Sequence, residues 1–404
     1  MKYLIVGGSI AAYTAYKEIK KIDNSADVKV VSKESVQPYS KMLLPYLISH
    51  RDVKNNMFFE IGSDDIILDD AVVSVDTDGK IVKTEHNREF QYDKLMIATG
   101  ADAYIPKYEG SYKKNSIVGV RYLNDMENIE NITASCKSGH IILLGAGLVT
   151  LETGWALVKK GFSVSYIVRS NRILSQILDK DSADMVEGYI EKNYPVKFIK
   201  ENDVEFIDEK NNGVYVKLTS GDSIEGCMVV VGKGVRPNVD FLSNTDIEAE
   251  NGIGVDEYLR TNNKDIYAVG DVAAFNDVVD NKKKIHAIWP VAVAQAKAAA
   301  KNMLGIKSYY MPEFSRNILP VFDLNIFSGG AANKDENDIF KIKNSLEYRK
   351  IVLKNGVLKG FILIGEISNY GAYIDLSKRS VDVAQNVDRL LYGSLNINYD
   401  KLFK

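Results

Sequence analysis

Cysteine is nearly absent from this chain of 404 residues: Cys136 and Cys227 are the two present, 91 positions apart. With no second thiol near either, the spacing excludes a disulfide framework, a CxxC redox pair, and an iron–sulfur or zinc site built by this chain alone. Histidine is as scarce. His50, His86, His140 and His286 are scattered and form no metal-ligand cluster, so no metal is expected. Charge of one sign is also lacking: 51 Lys+Arg against 54 Asp+Glu leave a formal net charge of −3. Nucleic acid is therefore not an expected partner. Long apolar runs are missing as well. Met1–Ala15 has the lysine and apolar stretch of an export signal, but Gly7-Gly8 breaks it and an amphipathic Lys17–Lys21 follows. His140–Val158 is nearly long enough to span a bilayer, yet Glu152 and the glycines at 145, 147 and 154 interrupt it. A soluble, cytoplasmic protein of two or three domains is expected.

Glycine, by contrast, is placed with purpose. Tyr3-Leu-Ile-Val runs into Gly7-Gly8-Ser9-Ile-Ala-Ala12, and His140-Ile-Ile-Leu-Leu runs into Gly145-Ala-Gly147-Leu-Val-Thr150. A helical stretch follows each, at Tyr13–Lys21 and Leu151–Lys160. A strand feeding such a turn and then a helix N-terminus presents unpaired N–H groups and a positive dipole end to a pyrophosphate. Two turns a domain's length apart suggest two dinucleotides.

The remaining pattern alternates strand and helix. Further strands are expected at Val28–Val31, Leu68–Val75, Lys80–Thr84, Tyr92–Gly100, Ser163–Val168, Val204–Ile207, Val214–Leu218, Cys227–Val231 and Asp265–Asp271. An alanine-rich helix covers Pro290–Leu304. From about Gly305 the pattern turns antiparallel, with a hairpin Tyr348–Leu353, Asn355-Gly356, Val357–Ile364 around a favoured two-residue turn. A helical stretch at Asn369–Ser377 and a polar tail follow.

Four ordered landmarks stand out: the first turn, Ala98-Thr99-Gly100, the second turn, and Tyr267-Ala-Val-Gly270-Asp271. With them the chain resembles the two-dinucleotide flavoproteins of the pyridine nucleotide-disulfide oxidoreductase family over about residues 1–305, and weakly beyond. Within it the chain looks most like reductases of rubredoxin, ferredoxin and related carriers. Lys2–Gly7 and Pro38–Tyr46 are similar to the flavoprotein electron-transfer subunit of phenylglyoxylate dehydrogenase. The resemblance implies an α/β fold of two interleaved Rossmann-like domains and a C-terminal α+β domain. FAD would occupy a discontinuous domain, 1–112 and 235–305, the nicotinamide dinucleotide 113–234, and residues 306–404 would form an interface domain, with a homodimer possible.

By the same resemblance FAD is held by Gly7, Gly8, Ser9, Ala11 and Ala12 of the first turn, with Ser9 and Ala12 in place of glycines. Ser32 stands where an acid usually takes the adenosine ribose, and Glu34 is its substitute. Lys41, Val72, Ala98, Thr99, Gly100 and Arg121 complete the adjoining contacts. Gly270-Asp271 would grip the ribityl or pyrophosphate end. The helix starting at Pro290 and Val291 would aim its N-terminus at the flavin edge, where negative charge builds on reduction. NADPH or NADH would be held by Gly145, Gly147, Leu148, Val149, Glu152, Arg169, Arg172 and Gly232. Thr150 replaces the third glycine and is expected to loosen helix packing. Arg169 and Arg172 suit a 2′-phosphate better than a hydroxyl pair, which points to NADPH preference or at least relaxed choice; an exposed arginine pair on a turn is the plain alternative.

The stretch Pro38–Tyr46 contains no cysteine where disulfide reductases carry a pair and oxidases or peroxidases a single thiol. Lys41 sits about there and, with Glu152, is a candidate catalytic residue; a solvent-facing lysine is the plain alternative. Without a thiol, electrons leave the flavin directly. An iron–sulfur carrier of ferredoxin or rubredoxin type, or a 2-oxoacid oxidoreductase complex, is the expected partner. Asn281-Lys-Lys-Lys284 and Lys378-Arg379 are candidate docking cations. Two rival readings stay open: an oxidase delivering electrons to oxygen, and a flavin-carrying subunit whose nicotinamide site has decayed.

Overall fold

The computed structural model describes residues 1–137, 139–210, 213–276, 283–311, 316–333, 338–344, 347–367 and 369–392. It divides into two compact units: 1–43, 52–102 and 235–313 in one; 44–51, 103–234 and 314–404 in the other.

The first unit is built on a five-stranded parallel sheet in the order Ile266–Ala268, Lys94–Ile97, Lys2–Val6, Asp27–Val31, Ile66–Ile67. Its central strands are apolar on both faces, as covered parallel strands must be; Ile5, Val30, Leu95 and Ile97 are fully buried. The helices Ile10–Ile22 and Trp289–Met303 bury their alanine faces, whose small side chains let backbones approach closely. The strand expected over Leu68–Val75 is two pieces, Ile66–Ile67 and Val72–Asp76. Asp69 has a φ of 55°, which no strand tolerates, and fully buried Asp70 follows it.

The second unit carries another parallel sheet, in the order Val196–Lys200, Ser163–Val168, His140–Leu144, Val229–Val231, Ile117–Val118. It also holds a five-stranded antiparallel sheet containing the expected hairpin, Tyr348–Lys354 with Val357–Ile364. Asn355 and Gly356 both have positive φ, 54° and 75°, as the primed turn requires. Two helices, Leu123–Ser135 and Lys180–Asn193, had no counterpart in the sequence reading.

The cysteine reading needs correction. Cys136 and Cys227 are disulfide-bonded, with Cα atoms 5.5 Å apart. Cys136 ends the helix Leu123–Ser135, and the Cys227 N–H bonds the carbonyl of His140 at the start of the neighbouring strand. The intervening chain folds back through a βαβ unit, so separation in sequence did not measure separation in space. Closing a loop this long typically adds about 2–4 kcal/mol. A reductant is expected to lower the denaturant midpoint of the wild type and leave that of the C136S/C227S double variant unchanged.

Candidate functional site

The first glycine turn sits where the Lys2–Val6 strand leaves the sheet. Gly7 has a φ of 139°, and a Cβ there would overlap the carbonyl oxygen of Ala98 on the adjacent strand. A Cβ on Gly8 would overlap the Ser32 hydroxyl. Ser9 is the N-cap of the helix Ile10–Ile22 but makes no side-chain cap. The first-turn N–H groups are thus left for a ligand, the arrangement that fits a pyrophosphate. Ala11 and Ala12 are buried, and a Cβ on Gly270 would lie 3.3 Å from that of Ala11, so small residues bring the two turns together.

Two residues missed in the sequence hold this region in shape. The Gln295 side-chain oxygen, 2% exposed, accepts the Gly270 N–H at 2.8 Å. Asn238 clamps the Thr99-Gly100 turn: its amide donates to the Thr99 carbonyl (3.1 Å), its N–H bonds Gly100 O, and the Thr99 hydroxyl donates to Asn238 O (2.8 Å). Gln295 had a signal, being an uncharged polar residue in the middle of an alanine-rich helix. Asn238 had none. Asp271 follows Gly270 in a short 3₁₀ turn. The N-terminus of the helix Trp289–Met303 has no side-chain cap, and Pro290 lacks an N–H there, while buried Val291 bonds back to Ile288. Val72 lies half-buried in its short strand; Arg121 falls in the other unit, its N–H bonded to Asp125.

Lys41 and Glu34 meet each other. Their ion pair is 2.7 Å long, the Tyr39 hydroxyl donates to the same carboxylate at 2.5 Å, and Lys41 Nζ lies 4.8 Å from the Tyr39 ring centre. Both side chains are largely buried, 16% and 15% exposed, which corrects the alternative of a solvent-facing lysine. Ser32 is buried, and its hydroxyl accepts the Glu34 N–H.

In the second unit Gly145 has a φ of 94°, and a Cβ there would lie 2.6 Å from the Gly232 carbonyl oxygen. Gly147 caps the helix Leu148–Lys159 with no side-chain cap, leaving Leu148 and Val149 in its uncapped first turn, and a Cβ on Gly147 would meet nothing within 4 Å. That open face fits a second dinucleotide. The loosening expected of Thr150 is not observed. Thr150 is 1% exposed, and its methyl occupies the space that Gly232 leaves by lacking a side chain. The small residue has moved to the facing strand end, and close packing recurs one turn on, at Gly154 against Tyr166.

Arg169 and Arg172 do different things. Arg169 is exposed at the end of the strand Ser163–Val168. Arg172 is laid into its own loop: Nη2 donates to Ser175 O at 3.1 Å, and Nε is buried with no partner among the described residues.

Glu152 lies in a shallow, open cleft lined by Pro45, Tyr46, Ser49, Trp155, Lys159 and Pro320 among others. Burial pushes its carboxyl up to about 7. The Tyr46 hydroxyl is raised too, by burial and then by the charge of Glu152. Such a carboxyl changes charge at physiological pH, as acid–base and electrostatic roles require.

Of the expected docking cations, Asn281 and Lys282 lie outside the described residues. Lys283 pairs with Glu248 (3.5 Å) and Arg379 with Asp375 (3.2 Å); Lys378 is exposed. One histidine reading is corrected. His86 comes together with Asp70 and Glu85, their ligand atoms within 4.8 Å. The Asp70 carboxylate already receives the Thr84 hydroxyl and has the Arg88 guanidinium at 3.6 Å, a hub that a metal ion would have to displace. Among the described residues no helix is long and apolar enough to cross a membrane.

Residues 1–296 match the pyridine nucleotide-disulphide oxidoreductase family, and 316–379 match the C-terminal domain of rubredoxin NAD+ reductase. Rubredoxin-NAD(+) reductase of Pseudomonas putida is 30% identical, over 76% of this chain and 80% of its own. NADH oxidase of Methanocaldococcus jannaschii is 28% identical, over 82% and 76%. Subunit epsilon of NADH-dependent phenylglyoxylate dehydrogenase from Aromatoleum evansii is 26% identical, over 98% and 96%. Among solved structures, an engineered water-forming NADPH oxidase bound to NADPH superposes with a TM-score of 0.85 at 21% identity, over 94% of this chain and 91% of its own. It derives from the Lactobacillus brevis enzyme, with an aspartate changed to alanine and the next two residues to arginine and serine. The chain belongs to the pyridine nucleotide-disulphide oxidoreductase family and is an FAD-dependent NAD(P)H oxidoreductase.

Proposed function

We propose that the chain passes electrons from NADPH or NADH, through FAD, to an iron–sulfur carrier of rubredoxin or ferredoxin type in the cytoplasm. The observation that carries this is the pair of uncapped helix N-termini at Ser9 and Gly147, in a chain with no cysteine between 38 and 46. FAD, when bound, supplies the conversion between a hydride and single electrons. The chain's own part is to hold and polarise. The first turn and Gly270-Asp271 bind; the Lys41–Glu34–Tyr39 group fixes a buried cation in the loop after the strand Asp27–Val31; the Pro290 helix end favours negative charge. The Aromatoleum relative supports a second direction, in which a 2-oxoacid oxidoreductase complex reduces the flavin.

Arg169-Ser170 has the same two residue types, in the same order, as the pair introduced in the engineered NADPH oxidase, and the end of the strand Ser163–Val168, where NAD-preferring members place an acid, has none. This favours NADPH. The tight Thr150–Gly232 contact argues against Thr150 as a sign of a decayed nicotinamide site. The oxidase reading keeps the support of the Methanocaldococcus relative.

Anaerobic mixing with NADPH or NADH should bleach the yellow flavin absorbance, and adding rubredoxin or ferredoxin should restore it. If neither nucleotide bleaches it, the reading fails; fast oxygen consumption without a carrier selects the oxidase. An ionised Glu152 would favour the positive charge that develops as a hydride leaves nicotinamide. The rate of bleaching is therefore expected to rise with pH through about 7. In Glu152→Gln it should be flat between pH 6 and 8 and roughly tenfold or more lower.

A further inference from the structure

The loop after the strand Ser163–Val168 has little regular structure, yet it is tied at both ends. Toward the second glycine turn, the Leu174 N–H bonds Ala146 O at 2.9 Å. Toward the antiparallel sheet of the same unit, three successive carbonyls are taken by two side chains. Asn333 Nδ2 donates to Ser175 O (3.4 Å) and Gln176 O (3.1 Å), and the buried Ser328 hydroxyl donates to Ile177 O (2.6 Å). Arg172 Nη2 shares the Ser175 carbonyl with Asn333. Leu174 sits at φ 46°, a conformation a leucine keeps only when its surroundings impose it.

We propose that Asn333, supported by Ser328, is a positioning residue for the adenosine end of the nicotinamide dinucleotide, and that it sets the discrimination between NADPH and NADH. This rests on the reading that the second glycine turn takes that dinucleotide and Arg169 its 2′-phosphate. The division of labour follows from the geometry. Arg172 is spent on the loop, stapling it at Ser175, while Arg169 alone of the two extends into solvent. Arg169 can meet a 2′-phosphate only if residues 170–177 hold the strand end in place, and the antiparallel sheet supplies that hold through Asn333 and Ser328. The contribution lies far along the chain from the nucleotide motif, in residues that touch no nucleotide.

The test is steady-state kinetics of the flavin-loaded protein with each nucleotide, alongside thermal unfolding. Asn333→Ala and the isosteric Asn333→Asp, which cannot donate, should raise KM for NADPH about five- to tenfold. The kcat and the KM for NADH should stay within about twofold, so the NADPH preference falls. Ser328→Ala should act in the same direction. Arg169→Ala separates the two claims. If it abolishes the preference while the Asn333 and Ser328 variants keep it, the positioning role is overturned and the 2′-phosphate reading stands. If Arg169→Ala changes nothing, the reading itself fails and the positioning role with it. Equal losses for both nucleotides accompanied by a lower unfolding temperature would mark a merely structural contact and overturn the proposal.

Discussion

Gly7→Ala is expected to yield protein purified without its yellow flavin, and with a markedly lowered unfolding temperature. The Lys2–Val6 strand leaves the sheet between two neighbours: the Gly7 N–H bonds Val31 O at 2.8 Å on one side, and the Ala98 N–H bonds Val6 O at 2.7 Å on the other. A Cβ at Gly7 would point into the Ala98 carbonyl, which is backbone and cannot swing aside. The φ of 139° adds strain for any side chain. Positive-φ strain and overpacking together cost roughly 2–6 kcal/mol. Relieving them would move the N–H groups that the turn offers a pyrophosphate. Gly188→Ala is the control: exposed inside the helix Lys180–Asn193, with nothing within 4 Å of an added Cβ, it should stabilise by up to about 1 kcal/mol. Full flavin occupancy in Gly7→Ala, read from absorbance per mole of protein, would sink the argument.

The parts legible in the sequence were those with a local cause. Gly7 and Gly145 end apolar strands because their positive φ disfavours a side chain, and Asn355-Gly356 turns a hairpin because asparagine and glycine tolerate the positive φ that both turn positions need. The parts that escaped are pairings across the fold. Lys41 and Glu34 were each assigned to a ligand, and they pair with one another. Thr150 looked like a lost glycine because its compensation, Gly232, is 82 residues away, just past the strand Val229–Val231. Cys136 and Cys227 looked isolated for the same reason. The helix Lys180–Asn193 escaped for a local one: its apolar stripe is thin, with Ala183, Val186 and Ile190 buried among charged residues.

The largest loss of stability is expected from Asp179→Ala. This carboxylate caps the helix Lys180–Asn193, accepting the Ser182 N–H (3.1 Å) and hydroxyl (2.6 Å). It also accepts the Tyr348 hydroxyl (2.7 Å) and faces Lys350, a fully buried ammonium, at 3.2 Å, with Lys341 at the same distance. Removing the carboxylate opposite a buried cation costs about 3–5 kcal/mol, and losing the cap about 1 more. Lys350→Met alone should cost less, because Lys341, Ser182 and Tyr348 still hold Asp179. The Asp179→Ala/Lys350→Met pair should recover much of the loss, so a double-mutant cycle by denaturant titration reads the coupling directly. Acid gives an independent check. Burial raises the Asp179 pKa, but the bonds from Ser182 and Tyr348 and the charge of Lys350 outweigh it, leaving the folded carboxyl well below its ordinary 3.8. A depressed carboxyl contributes stability that is fully present above 3.8 and lost as pH falls from there. Wild-type stability should therefore drop below about pH 4 more steeply than that of Asp179→Ala. Equal acid slopes in the two proteins would mean that the carboxylate carries no such stabilisation. Because Asp179 directly follows the loop that Asn333 and Ser328 hold, the same variant should also weaken NADPH binding, coupling the stability of this helix cap to the choice of nucleotide.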